Sequence, residues 1–272
     1  MIPAAFEYVR ADTADAALAA LTEHGDEAKL LAGGMSLIPL MKLRLATPTV
    51  VVDVGRLRDL SYVRDGGDHV AIGALTRHRD LETSTLLAEA CPALRGVAAE
   101  VGDNQVRHRG TLGGSVAHGD PASDLPAALL ALDATFVVRG PEGERTIGAD
   151  GFFQGFLETA LAPDELLTEI RVPKATGGWN YQKFNRRAQD WAIVGALVVN
   201  NGSTRVALVN MAGTPWRARP VEEALAGGAS LADAAALAAE GTDAPADLNA
   251  SSEYREHLAR VLVRRALEAA GA

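Results

Sequence analysis

Two glycine pairs constrain this chain most. One lies in Ala32-Gly33-Gly34-Met35-Ser36-Leu37, the other in Thr111-Leu112-Gly113-Gly114-Ser115. Paired glycines admit positive φ and let backbone come close to whatever lies against it. Successive N–H groups in such a turn form an anion-binding nest. Two nests on one chain predict a hold on the two phosphates of a dinucleotide. The first pair follows Lys29 to Ala32, which reads as a strand, and precedes Ser36, read as a helix N-cap with Pro39 in the first turn. Loop amides and helix N-terminus then point the same way, which favours phosphate. The spacing is not Gly-x-Gly-x-x-Gly, and no Gly-Lys-Ser/Thr triplet follows. A Rossmann-type nicotinamide site and an ATP-hydrolysing loop both lose weight.

The rest of the chain alternates helical and strand patterns, which predicts a mixed α and β fold. Asp12 or Thr13 caps a helix through Ala16, Leu18 and Leu21, with Gly25 as its stop. Thr49 to Val54 is a buried-strand run. Asp65-Gly66-Gly67-Asp68 turns a hairpin. Helical patterns begin at Thr76 or Asp80, cover Pro92 to Val101, and resume at Asp124-Leu125-Pro126 up to Leu132. Ala134 to Arg139 and Leu166 to Val172 read as strands. Pro173 and Gly177-Gly178 are taken to loosen a link, and a domain boundary is placed there. Beyond it, Trp179 to Phe184, Ala192 to Val199 and Thr204 to Met211 read as three strands, the last two joined by Asn200-Asn201-Gly202. Val221 onward is helical, ending in an amphipathic helix from Glu253 to Ala270.

With 272 residues, 48% of them hydrophobic and 22% charged, the chain has ample material for a core. A formal net charge of -9 argues against a nucleic-acid binder. The single cysteine, Cys91, makes no intramolecular disulfide and holds no iron–sulfur cluster, which usually takes four. Met1 to Arg10 carries no export signal, and no apolar run is long enough to span a bilayer. The expectation is a cytoplasmic protein without a membrane span.

Several residues have two readings. Asp124 is either an N-cap or a carboxylate for a ligand hydroxyl or amide. Asp53 caps or pairs with Arg56, and His118 is a hydrogen-bonded structural histidine rather than a general base. Cys91 is a packed small hydrophobe. Arg107 and Arg109 form a salt-bridge face or sit near phosphate. From the residues alone, Trp191 reads as core and Lys183 as solvent-facing.

Ala-Gly-Gly-x-Ser-Leu, then Pro-x-Met-Lys-Leu-Arg, then Thr-Leu-Gly-Gly-Ser with Asp-Pro-Ala-Ser-Asp-Leu-Pro, and Tyr181-Gln182-Lys183-Phe184-Asn185-Arg186-Arg187 before Asp190-Trp191-Ala192, occur in this order along nearly the whole chain. The combination resembles the FAD-binding medium subunit of molybdenum hydroxylases, the carbon monoxide dehydrogenase and xanthine dehydrogenase group. The resemblance implies an α+β chain. Its FAD-binding domain, residues 1–175, would be of the p-cresol methylhydroxylase type, with two α/β subdomains divided near 55–60. Its C-terminal flavoprotein domain, residues 176–272, would hold a three-stranded antiparallel sheet and helices. The resemblance also implies that Ala32, Gly33, Gly34, Met35, Ser36 and Leu37, with Thr111, Gly113, Gly114 and Ser115, hold the FAD pyrophosphate. By the same carry-over, Asp124 contacts the cofactor and Leu166 lies near the adenine or the flavin. Lys183 reaches the polar edge of the flavin ring, and Trp191 lies against the isoalloxazine. Met35 stands where many members have histidine or glutamine, and His108 where asparagine is common.

The implied function is electron transfer within a multi-subunit complex. A large subunit carries molybdopterin and a small subunit carries two 2Fe–2S clusters, in a dimer of heterotrimers that feeds an external acceptor. No catalytic residue or metal ligand is expected on this chain, because the flavin carries the chemistry. The alternatives are a self-contained FAD oxidoreductase and a non-catalytic nucleotide-binding regulator.

Overall fold

The computed structural model describes every residue, Met1 to Ala272. The chain opens with β1 (Glu7–Arg10), α1 (Ala14–His24), β2 (Ala28–Leu31), α2 (Leu37–Leu43) and β3 (Val50–Asp53). The strands form a parallel sheet in the order β1-β3-β2. The valine run makes β3 the central strand, and Val50, Val51 and Val52 are buried. α1 lays Ala17, Ala20 and Leu21 into the same small core. It is capped by the Thr13 hydroxyl, which accepts from Ala16 N at 3.1 Å, and it stops at Gly25, whose φ is 53°.

The second part contains β4 (Val63–Asp65), β5 (His69–Gly73), α3 (His78–Thr83), α4 (Thr85–Ala90), α5 (Pro92–Ala99), α6 (Asn104–Arg109), α7 (Leu112–His118), α8 (Asp124–Ala131), β6 (Thr135–Gly140) and β7 (Gly143–Gly148). It closes with α9 (Ala149–Phe152), the short hairpin β8 (Phe153–Gly155) and β9 (Glu158–Thr159), and β10 (Leu166–Pro173). Its five-stranded sheet runs β4-β5-β10-β6-β7 and is antiparallel throughout. A bulge between Leu167 and Glu169 interrupts β10 against β6. Every residue of α8 is buried, the Ala/Leu run from Ala127 to Ala131 together with Asp124, Leu125 and Pro126 of the first turn, so this helix is enclosed on all sides.

The third part holds β11 (Gly178–Phe184), β12 (Val194–Asn200), β13 (Thr204–Val209), β14 (Trp216–Arg217), α10 (Arg219–Ala226), α11 (Leu231–Ala236) and α12 (Ser252–Ala270). The sheet is four-stranded, not three-stranded. The added strand β14 has two residues, too few to show a period of two, and it is held by Arg217 bonded to Glu222 at 2.9 Å. β12 and β13 are buried on both faces. Leu197, Val199, Ala207 and Val209 join the core around α5 and α8, while Ala196, Val198, Val206 and Leu208 meet the core that contains α12. Gly177 and Gly178 do not loosen the link into this sheet. A Cβ on Gly177 would strike the Asn200 carbonyl, and one on Gly178 the Ala270 carbonyl. Both are glycines because backbone packs directly onto them. No helix is long and apolar enough to cross a membrane.

Candidate functional site: a glycine-floored cleft

The two glycine segments meet. A Cβ on Gly33 would collide with the Arg109 carbonyl and lie 3.0 Å from Gly110 Cα. A Cβ on Gly114 would come within 3.9 Å of Ala32 Cβ. Glycine at 33 is therefore demanded by the approach of one segment to the other, and Gly34 is needed for its φ of 77°.

The two segments differ in chemistry. Gly33, Gly34, Met35 and Ser36 lie between β2 and α2, and their N–H groups donate to no backbone acceptor. That is an open nest. Ser36 occupies the N-cap position of α2, yet its side chain makes no capping bond, which corrects the cap expected from sequence. The second segment is not a loop, because Gly113 and Gly114 lie in the first turn of α7. Leu112 N donates to Thr76 O at 3.0 Å and Gly113 N to Ala74 O at 2.8 Å. Ser115 N donates to Thr111 O at 3.0 Å, and Gly114 N to the Thr111 hydroxyl at 3.1 Å. Those amides are occupied within the chain, so the two-nest expectation reduces to one nest and one helix start. The β5–β10 ladder accounts for the second arrangement. One step beyond its Gly73–Glu169 pair, Ala74 N donates to the Thr168 carbonyl at 2.9 Å, and the Ala74 carbonyl in turn accepts from Gly113 N.

Around this meeting point lies a cleft of about 490 Å³, within the ordinary range for ligand sites. It is lined by Ala32 through Leu37, by Thr111, Gly113, Gly114 and Ser115, and by Leu166 at the start of β10. Further lining comes from residues the sequence did not single out for a site: Lys29, Leu75, His78, Leu157, Glu158, Thr159 and Ala162. Leu157 sits at the turn between β8 and β9 with a φ of 59°, beside the exposed Phe156. His118 also lines the cleft, and burial lowers its pKa. No local sequence signal marked His78, the first residue of α3. A two-residue strand gave none for the β8–β9 hairpin.

Asp124, Lys183 and Trp191 do not line this cleft. Asp124 is not the N-cap of α8, which is Ser123. Its carboxylate instead accepts from Tyr181 Oη and, at 2.8 Å, from Lys183 Nζ. Lys183 also donates to the Glu100 carbonyl at 2.9 Å. Both side chains of the pair are 7% exposed, so Lys183 is not solvent-facing. Burial raises the Asp124 pKa against the opposing pull of Lys183 and Tyr181, and burial beside Asp124 raises that of Tyr181. Trp191 is 57% exposed, on the connection between β11 and β12. The buried residues there are Ala192 and Ile193, and Asn210 Nδ2 fixes the Ala192 carbonyl at 2.9 Å.

Other readings resolve more simply. Arg107 pairs with Glu82 at 2.9 Å, which is the salt-bridge reading. Asp53 accepts from Gly55 N at 2.8 Å and from Tyr8 Oη at 2.6 Å rather than pairing with Arg56. Cys91 is fully buried, and burial pushes its thiol pKa up to about 11. A smaller hollow of about 380 Å³ beside Trp216 has charged walls, but Arg217 and Arg219 there are paired with Glu222, Asp133 and Asp150.

Residues 4–175 match the family described as the FAD binding domain in molybdopterin dehydrogenase. Residues 179–270 match the CO dehydrogenase flavoprotein C-terminal domain. The chain is 43% identical over 284 residues to the carbon monoxide dehydrogenase medium chain of Hydrogenophaga pseudoflava, covering 100% of this chain and 99% of that one. It is 36% identical over 280 residues to the 6-hydroxypseudooxynicotine dehydrogenase complex subunit alpha of Paenarthrobacter nicotinovorans, covering 98% and 95%. Among solved structures, a carbon monoxide dehydrogenase from Hydrogenophaga pseudoflava superposes with a TM-score of 0.96 at 43% identity, over 100% of this chain and 99% of that one. The open nest, the cleft and these full-length matches lead to one conclusion: this chain belongs to the FAD-binding medium subunits of the molybdenum hydroxylases.

Proposed function

We propose that this chain is the electron-transfer subunit of a molybdenum hydroxylase complex. It takes electrons from iron–sulfur clusters on a small partner subunit and delivers them to an external acceptor. Substrate is oxidised at a molybdopterin centre on a large partner subunit, and the complex is a dimer of heterotrimers. Residues 1–175, divided near 55–60, form the FAD-binding part, and residues 176–272 the C-terminal part.

The observation that carries the reading is the run of unpaired amides from Gly33 to Ser36, set in the floor of the cleft. FAD fits the residues present. Those amides and the start of α2 hold its pyrophosphate. Thr111 and Ser115 add hydroxyls, and Leu166 with Leu157 gives an apolar wall. When bound, FAD supplies the exchange of one and two electrons that no side chain here performs. The chain's own work is to bind, to orient and to limit access. Asp124, Tyr181 and Lys183 tie α8 to β11 and keep the second and third parts in one arrangement.

The test is to purify the tagged chain from its source cells and assay the material for molybdenum, iron and flavin. The expected result is all three together, with a 2Fe–2S signal in electron paramagnetic resonance. A chain isolated alone that turns over a substrate with FAD and no metal is the self-contained oxidoreductase, and contradicts the proposal.

A further inference from the structure

We infer that His78 is a neutral hydrogen-bond donor aimed at the oxygen-rich portion of the dinucleotide in the cleft, a positioning residue beneath the second glycine segment. The inference rests on the cleft being the FAD site.

His78 is the first residue of α3 and is 4% exposed. Its backbone N–H donates to the Gly110 carbonyl at 3.0 Å, which fixes the ring beside the chain that leads into Thr111. The Cδ2–Nε2 edge packs onto the open side of Gly110. A Cβ there would fall 2.6 Å from Cδ2 and 2.7 Å from Nε2. Both residues line the cleft. Glycine at 110 thus leaves room for this edge of the imidazole.

The opposite nitrogen decides the tautomer. Nδ1 is buried and has no hydrogen-bond partner. A neutral imidazole carries one N–H and one lone pair. A buried N–H without an acceptor costs more than an idle lone pair. The proton therefore belongs on Nε2, which becomes the donor at the cleft edge. A second proton is disfavoured. Burial, and then the cations Arg77 and Arg107, hold the ring's pKa down to about 4, and no carboxylate offsets them. A neutral donor suits phosphate or ribose oxygens without adding a titrating charge to the site.

The experiment uses the full chain, labelled with ¹⁵N-histidine, with FAD as the probe. Long-range ¹⁵N–¹H correlation of the free chain is expected to place the His78 proton on Nε2. Its ring signals should stay constant from pH 8 to 5.5 and shift when FAD is added. The His78→Phe chain, checked for fold by circular dichroism, is expected to bind FAD roughly ten- to a hundredfold more weakly, the worth of one hydrogen bond to a charged group. His78→Gln, which retains an N–H, is expected to recover part of the loss. A proton on Nδ1, ring signals unmoved by FAD, or a folded His78→Phe chain with wild-type affinity overturns the inference and leaves the cleft reading standing. A folded wild-type chain that does not bind FAD overturns both.

Discussion

Gly33 has no room for a side chain, and the obstacle is backbone rather than a flexible side-chain end. Gly33→Ala is expected to push the first segment away from Arg109, cost about 1–3 kcal/mol of stability as overpacking does, and weaken FAD binding. Gly151→Ala is the control, because open space surrounds that position. Urea unfolding of both variants with and without FAD separates the two cases, and equal behaviour contradicts the packing argument. His78 predicts a pH dependence. Burial and the neighbouring Arg77 and Arg107 lower its pKa to about 4 from the ordinary 6.5. Between those values the unfolded chain binds the proton and the folded chain does not, so stability falls as pH drops from 6.5 towards 4. The full effect is about 3 kcal/mol. Urea midpoints followed from pH 7 to 4.5 should fall more steeply for wild type than for His78→Phe. Parallel curves contradict the assignment.

At the scale of elements, α7 depends on Thr111 and the joint between α8 and β11 on a buried ion pair. Thr111→Ala removes the oxygen that accepts Gly114 N and is expected to cost about 1 kcal/mol, with Thr111→Ser close to wild type. Lys183→Met leaves Asp124 buried without its cation. It is expected to cost about 3–5 kcal/mol in chemical unfolding, and a loss below about 1 kcal/mol contradicts the pair's structural role. These elements also mark what could be read in advance. The first glycine segment was legible because its φ and its position between a strand and a helix are local properties of the sequence. The second was legible as a site but not as a helix start, since Leu-Gly-Gly-Ser has poor helix propensity and forms α7 only by docking on Ala74 and Thr76. Asp124 finds Tyr181 and Lys183 across 57 and 59 residues, and no local pattern encodes a contact of that separation. Gly177-Gly178 misled because a tight backbone contact and a flexible linker call for the same residue.

At the scale of the molecule, one core runs through the second and third parts: Leu197, Val199, Ala207 and Val209 of the C-terminal sheet pack with α5 and α8. The proposed C-terminal part is therefore expected to unfold with the FAD-binding part in a single transition, with calorimetric and van't Hoff enthalpies in agreement. Two separated transitions contradict the shared core. A chain cut after Ala175 would expose that face of α8 and is expected to aggregate. The central claim is that this cleft holds FAD for electron transfer. It is tested most directly by adding FAD to the purified full chain, desalting, and recording the visible spectrum before and after anaerobic dithionite. The account predicts retained flavin that bleaches on reduction and returns in air. A folded chain that leaves the column without flavin contradicts it.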